Sequence, residues 1–379
     1  MRICFVTNFI PPYRKTFYEK LCCNSAHTWL VVRGRVKGET GRPEYTGGLQ
    51  FPTVDANNVE RKLGPLTLRM QQGALAAVRK HSPDVVVMLG MVGNLSNWML
   101  LVWARLTGRK VVMWACGWQP QATGSVSLSV KQLLMRLHFN LADRCLLYSS
   151  KGRDYLASVG VRQDRMVVCY NGIEIDDLLL QENKTEQDAA QLRAENLAGD
   201  DFIFLYVGGL IADKRVDLLL DAFEEIRGGN PRAVLWIVGD GPEAVSLRQY
   251  AALKNNGGVR FFGRIVDDVD RFFSAADVFV LPGIGGLAFN QAMIWRTPCI
   301  GSEADGTEDD LLLDGKTGFR FIRDNTASLQ AAMAAAISAP EAAMRAMGEE
   351  ARQLIVDRSN VTRMVETFKT CIDELAPIA

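Results

Sequence analysis

Three glycine-bearing turns hold the residues best suited to chemistry: Val207-Gly208-Gly209-Leu210 with Lys214 just beyond, Gly239-Asp240-Gly241-Pro242, and Pro282-Gly283-Ile284-Gly285-Gly286-Leu287. Glycine between a strand's carboxyl end and a helix start lets bare backbone N–H groups approach an anion, and the helix dipole adds positive potential. An ammonium beside such a turn, here Lys214 with Arg215 next to it, adds a full charge. A phosphorylated ligand is the occupant this chemistry predicts.

The elements that must carry these turns follow from the apolar rhythm. In the first half, short apolar runs at Ile3 to Val6, Trp29 to Val32, Val85 to Leu89, Val111 to Trp114, Cys145 to Tyr148 and Met166 to Cys169 alternate with helix-length segments. Those segments are Leu66 to Arg79, with Pro65 as a start signal, then Leu95 to Leu106 and Val130 to Leu141. The pattern predicts βαβ units and a mostly parallel sheet. The polar stretch Glu174 to Asp201 reads as a hinge. Strands at Phe202 to Val207, Ala233 to Val238, Val259 to Phe262 and Val278 to Leu281 then restart the alternation, helices follow near Ser328 to Ile337 and Glu341 to Ile355, and a last helix covers Val361 to Leu375. The expected domains are 1–175 and 176–359, both α/β, with residues 360–379 packing back on the first.

At 379 residues, two domains are the ordinary expectation, and 48% hydrophobic with 23% charged residues excludes disorder. The eight cysteines lack metal-ligand spacing and read as reduced thiols of a cytoplasmic protein, and no Asp-x-Asp pair implies a metal. No signal-peptide pattern and no run of roughly 20 apolar residues is present. Zero net charge hides a division. Residues 1–175 carry 23 Lys+Arg against 10 Asp+Glu, leaving 20 and 33 for the remainder. A basic first half points to an anionic partner, with Arg33, Arg35, Lys37 and Arg42 in one loop and Arg61, Lys62 and Arg69 beyond it. The segment Val130 to Leu141 could rest in a membrane interface or pack its apolar face on the sheet. No aromatic-basic nucleic-acid motif accompanies these residues, so nucleic acid is not the partner expected.

Five signals in order resemble the retaining glycosyltransferases of family 4, of the two-Rossmann GT-B fold: Val-Gly-Gly-Leu-x3-Lys, Val-Gly-Asp-Gly-Pro, Phe-Phe-Gly-Arg, Ala-Ala-Asp-Val-Phe-Val-Leu-Pro-Gly and Asp314-Gly315-Lys316-Thr317-Gly318. The resemblance implies two α/β domains facing across a cleft, with a nucleoside-diphosphate sugar held mainly by the second. It implies no metal or separate cofactor. Lys214 matches the family's diphosphate lysine, and Gly208, Gly209, Arg215 and Gly239 fall in its donor site. Gly263 and Arg264 match the loop on which the nucleobase rests. Gly283, Gly285, Gly286, Leu287, Asn290 and Gln291 match the loop and helix that meet phosphate, sugar and ribose. Glu308 resembles a Gly-x-x-Glu element near the nucleotide, one residue short, although charge complementarity at a helix start explains it equally well.

The departures from the pattern are specific. Family members carry arginine where this chain has Gly209, two glutamates where it has Gly283 and Gln291, and a histidine after the strand Val111 to Trp114, where it reads Ala115-Cys116-Gly117-Trp118. His27, His81 and His138 fall elsewhere, on a strand flank or helix surfaces. The resemblance leaves Arg14 as a candidate second cation for the diphosphate, Asn290, Glu303 and Asp305 for the donor sugar, and Tyr13, Arg14, Cys116 and Trp118 on the acceptor side. It implies transfer to a glycan or lipid-linked acceptor in bacterial surface polysaccharide, lipopolysaccharide or glycolipid synthesis, at the cytoplasmic face of a membrane that the basic first domain could meet. A catalytically silent nucleotide-binding subunit is the alternative.

Overall fold

The computed structural model describes residues 1–23, 26–35, 44–63, 66–118, 128–196, 199–254 and 257–376. It divides into two compact units, Met1–Glu174 with Val361–Ala379, and Ile175–Asn360.

The first unit runs β1 (Arg2–Thr7), α1 (Lys15–Cys23), β2 (Thr28–Arg35), β3 (Thr53–Leu63), β4 (Leu66–Gln72) and α2 (Ala74–His81). It continues with β5 (Val85–Leu89), α3 (Leu95–Leu106), β6 (Lys110–Ala115), α4 (Leu128–Asn140), β7 (Arg144–Leu147), α5 (Ser150–Ser158) and β8 (Met166–Val168). Its sheet has the order β4-β3-β2-β1-β5-β6-β7-β8 and is parallel except for the β3–β4 hairpin. The parallel strands are buried on both faces, which explains their unbroken Val/Ile/Leu runs.

The expected helix from Leu66 to Arg79 is corrected: its first half is β4, and the helix begins at Ala74. Leu66, Leu68 and Met70 alternate with polar residues at the two-residue period of a strand, and β3 offers an antiparallel partner from Leu63↔Leu66 to Asn57↔Gln72.

The second unit begins with α6 (Asp176–Leu180) and α7 (Glu182–Glu195), so the stretch read as a hinge is largely helical. Glu182 explains why α7 is anchored. Its carboxylate accepts bonds from Arg352 Nη1 and Nη2 at 2.5 and 2.8 Å and from Arg296 Nη1 at 2.6 Å. The Arg352 bonds, opposed by burial and helped by Arg296, hold its pKa down at about 2.

Then come β9 (Phe202–Val207), α8 (Val216–Gly229), β10 (Ala233–Val238), α9 (Ala244–Leu253), β11 (Val259–Gly263) and α10 (Asp270–Ala275). The remainder is β12 (Val278–Leu281), α11 (Ala288–Ile294), β13 (Cys299–Gly301), α12 (Glu308–Leu311), β14 (Gly318–Arg320), α13 (Thr326–Ser338) and α14 (Glu341–Asp357). The sheet order β11-β10-β9-β12-β13-β14 is the Rossmann order, and its switch point lies between β9 and β12.

The last helix, α15 (Val361–Asp373), belongs to the first unit. Phe368 stacks on Phe5 at 6.1 Å and meets Phe17 and Trp114 edge-on at 5.2 and 5.4 Å, so a segment more than 350 residues downstream completes the core on one face of the first sheet. The other face is covered by α2, α3, α4 and α5 residues, including Val78, Leu100, Leu101, Phe139 and Leu156. On α4 the inward residues are Met135, His138 and Phe139, whereas Val130, Leu133, Leu134 and Leu137 are 40–54% exposed. The apolar face of this helix therefore does not simply pack on the sheet.

Candidate functional site

In the second unit the expected residues collect at the carboxyl ends of β9 and β12, where a Rossmann sheet opens a crevice for ligand. Lys214 ends a short 3-10 turn after β9 and directs its ammonium to the loop after β12, donating to the carbonyls of Ile284 at 2.7 Å and Gly285 at 3.0 Å. The Ile284 N–H donates back to Asp213 O at 3.0 Å, so the two loops are zippered. Burial lowers the Lys214 pKa, against the opposing pull of Asp305, Asp213 and Glu308.

Gly283 is locked into this contact. A Cβ there would stand 2.2 Å from Asp213 O and 2.5 Å from the Lys214 carbonyl carbon, so a glutamate cannot occupy the position without moving the lysine's own backbone. At Gly209 the opposite holds, because a Cβ would meet nothing within 4 Å.

The glycines serve two different purposes. Gly208 N donates to Val238 O at 3.0 Å, Leu210 N to Asp240 O at 3.0 Å and Gly239 N to Gly263 O at 2.7 Å. A Cβ on Gly239 would lie 1.9 Å from Gly208 O and one on Gly241 2.4 Å from Leu210 O. These turns are glycine because neighbouring backbones touch, which corrects the expectation that their bare amides wait for an anion: those of Gly208 and Gly239 are already spent. By contrast, the amides of Gly209, Gly285 and Gly286 make no hydrogen bond among the described residues.

Glu308 is fully buried at the start of α12, and its carboxylate accepts the Gly306 N–H at 2.9 Å and the Asp305 N–H at 3.2 Å. Burial, and then the neighbouring Asp305 carboxylate, push its pKa up to about 7. A Cβ on Gly285 would lie 2.6 Å from Glu308 Oε1, which brings this acid against the same loop that holds Lys214.

The remaining residues expected on the donor side are placed less directly. Leu287 caps α11, and Gln291 is half-buried in its first turn. Asn290 is buried with its amide donating to Ser359 O at 3.3 Å. Glu303 and Arg264 are exposed. Arg215, in a left-handed conformation at φ 52°, is held by Asp217 and Asp324 and is not free to share the Lys214 role.

The first unit has its own cavity, of about 450 Å³, at the carboxyl ends of β5, β6 and β7. Its walls include Trp114, Cys116, Trp118, Tyr148 and Tyr155, with Lys131 of α4. Lys151 places its ammonium 4.1 Å from the Trp118 ring centroid. Tyr148 and Tyr155 carried no motif; only their position at and just after a strand's carboxyl end marked them.

Arg14 requires a correction. It is 6% exposed, donates to Gly172 O at 3.0 Å and to Asn171 Oδ1, and lies 5.3 Å from the Trp114 ring. Its guanidinium is consumed in packing the first unit and is not available as a diphosphate arm. Tyr13 beside it is 61% exposed. His138 is buried rather than on a helix surface, against Trp98 at 4.7 Å, and burial pushes its pKa down to about 4. Among the described residues, no group of His, Cys, Asp and Glu is placed to hold a metal ion.

The basic cluster is also largely neutralised. Arg33 and Arg35 both bind Asp55, Arg35 also binds Glu44, and Arg69 binds Glu60. Arg61 is exposed. Lys37, Arg42 and the Lys62 side chain lie outside the described residues.

Residues 23–172 match the glycosyl transferase 4-like domain, and residues 187–354 match the glycosyl transferases group 1 family. Each Rossmann-like unit thus carries a glycosyltransferase-domain match, the domain composition of the GT-B fold. The chain is 26% identical over 155 residues to the capsular polysaccharide biosynthesis glycosyltransferase CapM of Staphylococcus aureus, a match spanning 39% of each chain. Among solved structures it resembles Alr3699/HepE of Anabaena in complex with UDP, at TM-score 0.73 and 16% identity, covering 99% of this chain and 100% of that one. A glycosyltransferase from Rickettsia africae ESF-5 superposes at TM-score 0.74 with 13% identity, covering 100% and 99%. Among the described residues no helix is long and apolar enough to cross a membrane.

Proposed function

We propose that this chain transfers a sugar, with retention of anomeric configuration, from a nucleoside-diphosphate sugar to a glycan or lipid-linked acceptor in bacterial surface polysaccharide or glycolipid assembly. The observation that carries this reading is the Lys214 ammonium held at the switch point of the second sheet by the carbonyls of Ile284 and Gly285, on two loops whose Gly209, Gly285 and Gly286 amides make no hydrogen bond among the described residues. Diphosphate oxygens would replace the Ile284 and Gly285 carbonyls as partners of Lys214, a charge-assisted exchange favoured by burial. Similarity to a protein crystallised with UDP makes a UDP-sugar the first donor to test, and similarity to CapM supports a polysaccharide product.

In this mechanism the acceptor hydroxyl attacks the anomeric carbon from the face that the diphosphate leaves. The bond from that carbon to the diphosphate oxygen breaks, and the departing oxygen takes the hydroxyl's proton. Lys214 and the amides stabilise the charge that builds on it, and positioning supplies the rest. No histidine base is required. The first unit's cavity, with Trp114, Trp118 and Tyr148, is the acceptor side of the proposal.

The sealed position at Gly283 and the inward turn of Arg14 favour a second reading, a nucleotide-binding subunit without turnover. Radiolabelled UDP-sugars supplied with lipid-linked acceptors separate the two, since only a transferase makes a labelled glycoside. Lys214→Ala should weaken UDP binding by about 1.5–3 kcal/mol, ten- to a hundredfold in Kd by calorimetry. Unchanged affinity removes Lys214 from the site.

A further inference from the structure

Of the carboxylates among the described residues only Glu308 and Asp310 are buried, and Glu308 is 0% exposed. It forms no ion pair there. The Lys214 ammonium acts on it at longer range, while its hydrogen bonds go to the carbonyls of Ile284 and Gly285. A carboxylate buried without a bonded cation is costly, and taking a proton relieves that cost.

The two oxygens of this carboxyl differ in their surroundings. Oε2 takes the shorter bond, from the Gly306 N–H at 2.9 Å, whereas Oε1 shares the Asp305 N–H at 3.2 Å and lies against Gly285, where an added Cβ would be 2.6 Å away. The charged groups around it are Asp305 on the loop before α12, Asp213 and Lys214 on the turn after β9, and Asp309 and Asp310 following it on α12. Asp309 is paired with Arg320, and Arg358 is bonded to the Asp310 carbonyl. The loop Gly283 to Leu287 contributes no charge. With a pKa pushed up to about 7 by burial and then by Asp305, the carboxyl is divided between its two forms near neutral pH.

We propose that Glu308 takes up a proton from solvent when a nucleoside diphosphate seats at Lys214, as the transferase reading requires, and holds that proton on Oε1 beside Gly285. The diphosphate brings further negative charge to Asp305 and Glu308 with one ammonium to offset it, since Arg215 is already held by Asp217 and Asp324. Lys214 turns from the Gly285 carbonyl to phosphate, and a protonated Oε1 restores a donor next to that residue. Glu308 is thus a positioning residue: neutral, it steadies the loop and does not repel the charge that grows as the sugar departs.

The test is calorimetric titration of the full chain with UDP at pH 8, in buffers of different ionisation enthalpy. The last ionisation of the nucleotide itself, at about pH 6, is complete there. Uptake of nearly one proton per UDP is expected, and because the protonated form is the one that binds, Kd should rise about fivefold from pH 7 to pH 8. Glu308→Gln imitates the neutral acid, so it should bind without proton uptake and with a flat pH profile. Asp305→Asn should move the rise in Kd to lower pH, which decides the matter if thermal melts show Glu308→Gln unfolded. Binding without proton uptake overturns the proposal. So does uptake that persists in folded Glu308→Gln, which would assign the proton to Lys214. UDP binding that depends on Lys214 but not on pH refutes the proton linkage alone; no UDP binding, or binding indifferent to Lys214→Ala, refutes the seating of the diphosphate and the linkage with it.

Discussion

Arginine introduced at Gly209 should tighten nucleoside-diphosphate binding, while even a methyl group at Gly283 should weaken it. Both positions depart from the pattern that the sequence resembles, yet the space around them differs. At Gly209 a Cβ meets nothing within 4 Å, and the residue lies on the same turn as Lys214. A guanidinium there could add a charge-assisted hydrogen bond to a phosphate, worth about 1.5–3 kcal/mol when buried. Because residue 209 is exposed, solvent reduces the gain to about 1 kcal/mol, roughly fivefold in Kd.

At Gly283 the added Cβ would stand 2.2 Å from Asp213 O and 2.6 Å from Lys214 Cα, where ordinary contact begins at 3.4 Å. Relief requires the Asp213–Lys214 backbone to move by about an ångström, at a typical overpacking cost of about 1–3 kcal/mol. The Lys214 bonds to Ile284 and Gly285 are disturbed with it. Calorimetry with UDP on Gly209→Arg and Gly283→Ala, alongside thermal melts, measures both effects. If Gly209→Arg leaves affinity unchanged, the diphosphate does not lie against this turn. If Gly283→Ala melts and binds like the parent, the zippered loops do not position Lys214.

Other expectations rest on single groups. Glu182 has a folded pKa of about 2, below its usual 4.5, so the stability it contributes is fully present above about pH 4.5 and is lost as pH falls toward 2. Glu182→Gln should cost about 2 kcal/mol at pH 7 and flatten that acid limb of the melting curve. Cys116→Ala should retain most turnover, because a thiol is a poor acceptor for a sugar hydroxyl proton; complete loss in a folded variant would show the cavity wall to be chemical rather than spatial.

The alternation of buried runs and helices was legible because parallel strands covered on both faces leave unbroken apolar segments, as at Phe202–Val207 and Ala233–Val238. Leu66–Gln72 was not, since Leu66, Leu68 and Met70 become a strand only in a hairpin with β3, a partner whose own sequence is rich in Asn, Asp, Glu and Lys. Nor did composition reveal that the polar residues 182–195 form a helix, which depends on Arg296 and Arg352 reaching Glu182 from far along the chain. Motif spacing located the turns of the candidate site, but glycine letters cannot say whether a backbone touches a ligand or another backbone. Gly239 and Gly283 face backbone, while Gly209 and Gly286 face open space. Arg14 escapes the sequence for a related reason: its proximity to a sheet edge is visible there, but not the Asn171 and Gly172 partners that turn it inward.

The return of α15 to the first unit sets an order of events on the ribosome. Phe5, Phe17 and Trp114 emerge long before Phe368, the ring that fills the space among them. The second unit is one uninterrupted segment and holds everything its own sheet requires. Translation therefore finishes the later lobe first, while the earlier one waits, incompletely closed, for the helix that seals it.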